Sequence, residues 1–300
     1  MRALVVGGAG FLGSHLVDLL VTEGASVDVA DDLSTGSLAN LAEARTARNR
    51  DLRIHTLDAR GGELGELAAR RPPDVVFHLA VPRHRSSTDQ DAFDRAVNGT
   101  ARVIETAART GAKVVVALRA LDLYGAVAPK DLPVREHRPS DAPVTLAELA
   151  TRTVVDLLTI ARERRQVEFT ALACSSLYGP RRRDGVVASF AAAAASGEPA
   201  RLDGDGRQTR DLLHVDDAVD ALLRAARRGS GLVVNIGTGS QTAVRDLHRM
   251  VCGAGAPVER APERPDEPGR FALSPVRARI HLGWEPFTPL ADGLERLLER

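Results

Sequence analysis

The sequence predicts an α/β fold with a doubly wound parallel sheet, and three observations support this prediction. Short β-rich runs alternate with longer helical patterns, a glycine-rich loop directly follows the first run, and the rhythm changes after about residue 174. The chain has 300 residues, of which 44% are hydrophobic, so it can bury a large core. We therefore expect one sheet domain and a smaller C-terminal lobe.

The composition argues against several classes of function. The 40 basic residues balance the 40 acidic ones, so nothing indicates a nucleic-acid partner or an acidic membrane surface. No apolar run reaches the roughly 18 residues that a membrane-spanning helix needs. Two cysteines make no disulfide framework, so a cytoplasmic location is expected. We predict a small-molecule substrate and no metal site.

The predicted elements follow one another as in a parallel sheet with crossover helices. Strands are expected at 3–6, 26–30, 52–57, 74–78, 113–118, 167–173 and 231–236, with helices at 11–22, 91–110 and 144–164. Ligands of such sheets bind at the carboxyl ends of the strands.

The first strand leads into the most informative motif of the chain, a loop with Gly7, Gly10 and Gly13. The first glycine allows a tight turn, the second lets the backbone approach a pyrophosphate, and the third lets helix and strand pack closely. The helix that begins with Phe11 and Leu12 would place its N-terminal N–H groups and its dipole at that anion. The loop therefore predicts a dinucleotide cofactor.

Two acidic residues follow the second strand, about 20 residues after the loop. Asp31 stands where an acid can bind the adenosine ribose hydroxyls. Asp31 and Asp32 together would repel a 2′-phosphate, which favours NAD. NADP stays open, because a phosphate can turn toward arginines that the sequence cannot place.

These motifs define a Rossmann-type doubly wound parallel sheet with a smaller C-terminal substrate-binding lobe. We predict a dinucleotide-binding domain at 1–174 and the substrate-binding lobe at 175–300. The two are interleaved, since a strand near 231–236 returns to the sheet.

The chain resembles the extended short-chain dehydrogenase/reductases, the NAD-dependent epimerase/dehydratase group, almost from end to end. The matching segments are 7–14, 31–36, 58, 77–80, 97–100, 123–125, 177–181, 204–211, 235–239 and 282–284. The resemblance implies that Asp58 contacts the adenine, that Leu79 and Ala80 line the nicotinamide ribose, and that Arg210 and Arg264 hold a nucleotide diphosphate. Phe11, Leu12 and Ser34 complete the expected cofactor set.

The chain departs from this family at the catalytic triad of Ser or Thr, Tyr and Lys. Those positions carry Ala120, Val144 and Glu148. A shifted alignment does not restore the triad, because Tyr124 and Tyr178 are the only tyrosines and neither has a lysine four residues later. Ser176 stands where sugar-nucleotide relatives have an asparagine. The catalytic residues are therefore unknown.

Three functions compete at this stage. The first is an NAD(P)H-dependent ketoreductase that reduces a polycyclic aromatic ketone, with the proton coming from substrate or water. The pattern of losses resembles the atypical angucyclinone ketoreductases of aromatic polyketide antibiotic pathways, simocyclinone biosynthesis among them. The second is a nucleotide-sugar epimerase or dehydratase with relocated catalytic groups. The third is a non-catalytic NAD(P)-binding scaffold.

Further expectations concern the substrate side and the assembly. His84 and Ser86 border the nicotinamide in relatives, and with Ser176 and Arg210 they are the candidate substrate-binding residues. Family members often dimerise through helices equivalent to 91–110 and 144–164, so a homodimer is expected.

Overall fold

The computed structural model describes residues 1–47, 51–81, 89–136, 143–263 and 269–299. Its strands are β1 Arg2–Val6, β2 Ser26–Asp31, β3 Leu52–Thr56, β4 Val75–His78, β5 Lys113–Arg119, β6 Phe169–Cys174, β7 Ser176–Tyr178, β8 Ala200–Asp203, β9 Thr209–Arg210, β10 Leu212–His214, β11 Leu232–Ile236, β12 Thr242–Ala243 and β13 Val258–Ala261.

Helices connect these strands along the whole chain. They are α1 Phe11–Thr22, α2 Ala42–Thr46, α3 Glu63–Arg70, α4 Asp89–Thr110, α5 Ala120–Tyr124, α6 Leu146–Arg165, α7 Val186–Ser196, α8 Val215–Arg227, α9 Val244–Cys252, α10 Val276–Leu282 and α11 Leu290–Leu298. Among the described residues, no helix is long and apolar enough to cross a membrane.

The central sheet is parallel and seven-stranded, in the order β11-β6-β5-β4-β1-β2-β3. The connection from β1 leads to β2 on one side, whereas β4 pairs with β1 on the other side. The direction of winding therefore reverses between β1 and β4, and such a reversal opens a crevice at the carboxyl ends of the strands. The predicted α/β fold class is confirmed.

Hydrophobic layers cover both faces of the sheet. On one face, α1 and α8 pack on the strands through fully buried side chains such as Leu16 and Leu222. On the other face, α4 and α6 contribute Val103 and Leu158. Strands buried on both sides read as continuous apolar runs, which is why the sequence predicts them well.

The C-terminal lobe is built from short two-stranded sheets with a small core of its own. The pairs are β7 with β10, β9 with β12, and β8 with β13. Phe190, Leu202 and Leu247 belong to its core. Because β7 begins two residues after β6, and β11 lies beside β6 in the central sheet, this lobe faces the carboxyl ends of the strands.

Candidate active site

A large cleft of about 1290 Å³ lies between the carboxyl ends of the sheet strands and the C-terminal lobe. All eleven residues of the expected cofactor set line it, namely Gly7, Gly10, Phe11, Leu12, Gly13, Asp31, Asp32, Ser34, Asp58, Leu79 and Ala80. From the predicted substrate side, Ser176 and Arg210 also line it. The fold thus brings together residues that are up to about 200 positions apart in the sequence.

The glycine loop is too tightly packed for side chains at two positions. Gly7 has φ +82°, and a Cβ there would lie 2.8 Å from the backbone nitrogen of Ala80. A Cβ on Gly13 would lie 2.1 Å from the carbonyl oxygen of Gly7. Gly10 is the N-cap of α1 and no side chain caps this helix, nor does its first turn carry an acid. The start of α1 therefore fits an anion such as a pyrophosphate.

Asp31 organises the backbone around this loop. Its carboxylate accepts hydrogen bonds from the N–H groups of Ala9 and Leu33, both at 2.8 Å. Burial raises the pKa of Asp31, although these two donors act in the opposite direction. Asp31 thus ties the end of β2 to the glycine loop, and its remaining lone pairs face the cleft that it lines.

Two arginines that sequence reasoning missed lie at the adenosine end of the cleft. Arg95 of α4 forms ion pairs with Asp32 and with Asp91, the latter at 2.7 Å, and its guanidinium lies 3.4 Å from the Ser34 hydroxyl. Partial burial raises the pKa of Asp32, but hydrogen bonds from Ser34 and Arg95 outweigh it and hold that pKa below its ordinary value. The acidic pair that favoured NAD is therefore partly neutralised.

Arg60 likewise forms an ion pair, in this case with Asp58, the residue expected to contact the adenine. The two side chains pair at 2.6 Å, and Arg60 also reaches Asp94 on α4. Hydrogen bonds from Arg60 lower the pKa of Asp58. Neither arginine belongs to a recognisable motif: Arg95 reaches the cleft from α4, and Arg60 reaches it from the segment that follows β3.

The three positions expected to hold the triad differ in burial and in their location relative to the cleft. Ala120 begins α5, directly after β5, and is fully buried in an apolar cluster. It does not line the cleft, whereas its neighbours Arg119 and Leu121 do. Val144 lines the cleft with 84% of its surface exposed. Of the two positions where the family resemblance implies a hydroxyl, one therefore carries a buried methyl group and the other an exposed isopropyl group.

Glu148 forms a capping box at the start of α6. Its side chain accepts a hydrogen bond from the Val144 N–H at 2.8 Å, and its own N–H donates to the Thr145 hydroxyl at 3.1 Å. The Thr145 hydroxyl thus satisfies an N–H group that the helix start leaves free, and the Glu148 carboxylate binds the residue before the N-cap. The cap explains why the helix begins at Leu146, two residues later than predicted. It gives Glu148 a structural function.

A second carboxylate lies on this side of the cleft. Asp122 of α5 lines the cleft, is 8% exposed and pairs with Arg119 at 2.8 Å. Sequence reasoning does not single out this residue as functional. Its position three residues after the end of β5, at the ligand-binding edge of the sheet, was the available signal. Tyr124 points elsewhere, and its hydroxyl donates to buried Asn235 at 2.7 Å.

The wall formed by the C-terminal lobe is rich in arginine. Beside Arg210, it carries Arg181, Arg182, Arg183 and Arg201. Arg182 also stacks on the ring of Phe11 with its guanidinium carbon 5.0 Å from the ring centre. Arg181 pairs with Asp18 of α1 at 2.6 Å. The segment after β7 is thereby fixed over the start of α1. Of the remaining predicted residues, His84, Ser86 and Arg264 lie outside the described residues.

The comparisons with known proteins agree with this geometry. Residues 3–237 match the model of the NAD dependent epimerase/dehydratase family. The chain belongs to this family. It is 37% identical to the UDP-glucose 4-epimerase of Mycolicibacterium smegmatis, over 100% of this chain and 98% of that protein.

Solved structures of UDP-glucose 4-epimerases also match the fold over the whole chain. The UDP-glucose 4-epimerase of Thermotoga maritima, solved with UDP-glucose, superposes with a TM-score of 0.91 at 30% identity, covering 100% of this chain and 98% of that one. The enzyme of the same name from Thermus thermophilus, solved with NAD, gives 0.89 at 26% identity, with coverages of 100% and 98%. The family is NAD-dependent, as predicted for the cofactor.

These findings correct one expectation. The relatives named above are UDP-glucose 4-epimerases, and none of them is a polyketide ketoreductase. The suggested resemblance to angucyclinone ketoreductases, including that of simocyclinone biosynthesis, is therefore unsupported. It rested on the loss of three side chains, and such a loss says which chemistry is missing without saying which substrate is bound.

Proposed function

We propose that the cleft binds NAD along the glycine loop and a nucleotide diphosphate sugar along the C-terminal lobe. The observation that carries this proposal is the arginine wall opposite the start of α1, within one continuous cleft. Arginine guanidinium groups match diphosphate oxygens in geometry and charge. The family and its relatives act on substrates of this class. In the cofactor site, Gly7, Gly10 and Gly13 would approach the pyrophosphate, while Asp31 and Asp58 would face the ribose and the adenine.

The reaction we propose is that of an epimerase or dehydratase with relocated acid–base groups. When bound, NAD would accept a hydride from the sugar carbon whose hydroxyl group is oxidised. The protein must then take the hydroxyl proton. Tyr178 lines the cleft, but it is only 1% exposed and burial raises the pKa of its hydroxyl, so it is poorly suited to this transfer. We assign this proton transfer to the carboxylate of Asp122, which lines the cleft and is oriented by its ion pair with Arg119. Glu148 is less suited, because its carboxylate is engaged in the cap.

The proposal is tested by binding and turnover. Calorimetry with NAD-loaded protein should show binding of UDP-glucose or dTDP-glucose, and Arg210→Gln should weaken it by about tenfold or more. Arg164→Gln, on an exposed turn of α6, is the matched control and should leave binding unchanged. Asp122→Asn should abolish turnover while sugar affinity is kept. Failure to bind any nucleotide sugar while NAD binds would overturn the proposal.

A second function is favoured by a different observation, the apolar character of Ala120 and Val144. Hydride delivery from NAD(P)H to a ketone needs only a positioned carbonyl and a proton, which water or a phenolic substrate can give. Loss of NADH or NADPH absorbance with a polycyclic aromatic ketone, and none with nucleotide sugars, would select this ketoreductase. Cofactor binding without turnover on either substrate class would select the non-catalytic scaffold.

We also propose that the protein forms a homodimer. On α6, Leu149 and Ile160 are 40% and 55% exposed, and α6 packs beside α4 on one face of the sheet. Exposed apolar residues on α6 suit a helical interface between two copies. Light scattering of the wild type and of Ile160→Glu would test this assembly.

A further inference from the structure

A second hollow, of about 470 Å³, lies on the far side of β8 from the cleft. We call it the basic hollow. Its lining consists of Leu202, Asp205, Arg207, Arg245, His248, Arg249, Gly255, Ala256, Val258 and Arg260, none of which lines the cleft. Successive residues along β8 and the turn that follows it line the cleft and the basic hollow alternately. The two cavities are therefore separate.

The lining of the basic hollow is strongly cationic. Arg207, Arg245, Arg249 and Arg260 contribute four guanidinium groups. Two carboxylates partly neutralise these groups. Asp205 pairs with Arg207 at 3.2 Å, and Asp246, on the same helix as Arg245, pairs with Arg249 at 3.2 Å. Two positive charges therefore remain in excess around one concave surface, which attracts an anion.

His248 gives an independent sign of a ligand. It is 6% exposed, its ring stands edge-on to Phe190 with 5.3 Å between ring centres, and it lines the hollow. Its Nε2 atom is buried without a hydrogen-bond partner among the described residues. A buried polar atom that lacks a partner destabilises the folded state. An acceptor oxygen in the hollow would remove this cost, because an imidazole Nε2–H is a donor.

The arginines are held by a fixed framework. The N–H of Arg245 donates to the carbonyl of Gly206 at 3.0 Å, which ties α9 to the turn that carries Arg207. A Cβ on Gly206 would lie 2.9 Å from the Cβ of Arg245, so turn and helix are in close contact. Arg260 is placed by the pairing of β13 with β8. The backbone positions of Arg207, Arg245 and Arg260 are therefore fixed before any ligand arrives, which limits the entropic cost of binding to the ordering of their side chains.

We propose that the basic hollow is a second anion site, which binds phosphate oxyanions through Arg245, Arg249 and His248. Guanidinium groups suit such oxyanions because they donate paired, charge-assisted hydrogen bonds. The oxyanion is either a free phosphate or pyrophosphate ion, or the phosphate end of a nucleotide. In both cases this site is distinct from the cleft and its proposed function.

Pyrophosphate is the probe for the first test. Calorimetry at constant ionic strength, with NAD present to fill the glycine loop, should show a site that Arg245→Gln/Arg249→Gln weakens at least tenfold. Both side chains are largely solvent-exposed, at 48% and 68%, so the double variant should fold, and circular dichroism checks this. Arg53→Gln/Arg70→Gln removes the same charge from exposed arginines elsewhere and should bind pyrophosphate like the wild type.

A second readout reports on the site itself. In histidine-labelled protein, pyrophosphate should shift one ring resonance, and this resonance should be missing from His248→Asn. The proposal is overturned if pyrophosphate does not bind, if the double variant binds as well as the wild type, or if the control double variant loses affinity equally.

The source of the anion is distinguished in the Arg210→Gln background, where binding of a nucleotide in the cleft is weakened. If UDP binding there still depends on Arg245 and Arg249, the site takes nucleotide phosphates. If only orthophosphate and pyrophosphate show this dependence, it takes the free ions. Both results support the site.

Discussion

The two ends of the cleft differ in what their function requires of the structure. At the cofactor end, Gly7 and Gly13 leave no room for any side chain, and Asp31 fixes the loop by accepting two backbone hydrogen bonds. At the reacting end, Ala120 is buried in an apolar cluster and Val144 is 84% exposed. The cofactor end depends on backbone geometry, whereas the reacting end depends on side-chain functional groups.

This difference shows how a family can keep its cofactor site and lose its usual chemistry. Replacing a glycine of the loop disturbs the fold itself, because the strand, the turn and the helix meet there. The capping box of Thr145 and Glu148 starts α6 without the tyrosine and lysine. Four changes test this contrast.

The largest effect is expected from restoring the triad. Ala120→Ser/Val144→Tyr/Glu148→Lys should raise the turnover of a nucleotide sugar by about 10²–10⁴-fold, because it supplies a general acid–base phenol and a cation beside it. The control carries Val144→Phe in place of Val144→Tyr, so that a ring of the same shape lacks the hydroxyl. No gain over this control would show that the reacting end has diverged beyond its side chains.

The next effect concerns His78, which ends β4 next to the cofactor residues. Burial lowers the pKa of its imidazole to about 4. The unfolded chain, with a histidine pKa near 6.5, therefore binds the proton first, and stability is lost as the pH falls from 6.5 toward 4. This loss should reach about 3 kcal/mol of unfolding free energy in urea titrations.

A variant isolates this contribution. His78→Gln should flatten the stability profile between pH 6.5 and 4, whereas His281→Gln, at an exposed site on α10, should leave it unchanged. If both variants keep the wild-type slope, the buried imidazole is not its cause.

A smaller effect separates a close-packed glycine from an open one. Gly13→Ala should lower the unfolding free energy by about 1–3 kcal/mol and abolish NAD binding, since its Cβ would overlap the Gly7 carbonyl. Gly62→Ala, at a position where a Cβ meets no atom within 4 Å, should change neither property measurably. Thermal unfolding and calorimetry with NAD give both readings. Equal behaviour of the two variants would contradict the packing argument.

The smallest effect is expected at the reacting end. Glu148→Ala should cost about 1 kcal/mol of unfolding free energy through loss of the capping box, and Glu148→Gln should keep both stability and turnover, because an amide can also cap. If Glu148→Gln folds normally but loses turnover, then Glu148 and not Asp122 transfers the proton.

The sequence predicts the sheet domain better than the C-terminal lobe. The seven strands of the central sheet were expected within a few residues, since strands buried on both faces are apolar throughout. The lobe has strands of two to four residues, such as β9 and β12, which are too short to leave a periodic pattern. At the cofactor site the glycines and Asp31 could be found by spacing. Arg60 and Arg95 could not, because no local motif surrounds them, and the signal for Asp122 was its position just after the end of β5.

By itself, the sequence determined the fold class, the dinucleotide loop and the loss of the triad, because each depends on residue types at short, fixed spacings. Only the tertiary structure decided that Arg95 pairs with Asp32 and that four arginines line the basic hollow. These contacts join residues far apart in the chain, and their positions follow from the packing of helices and strands against one another.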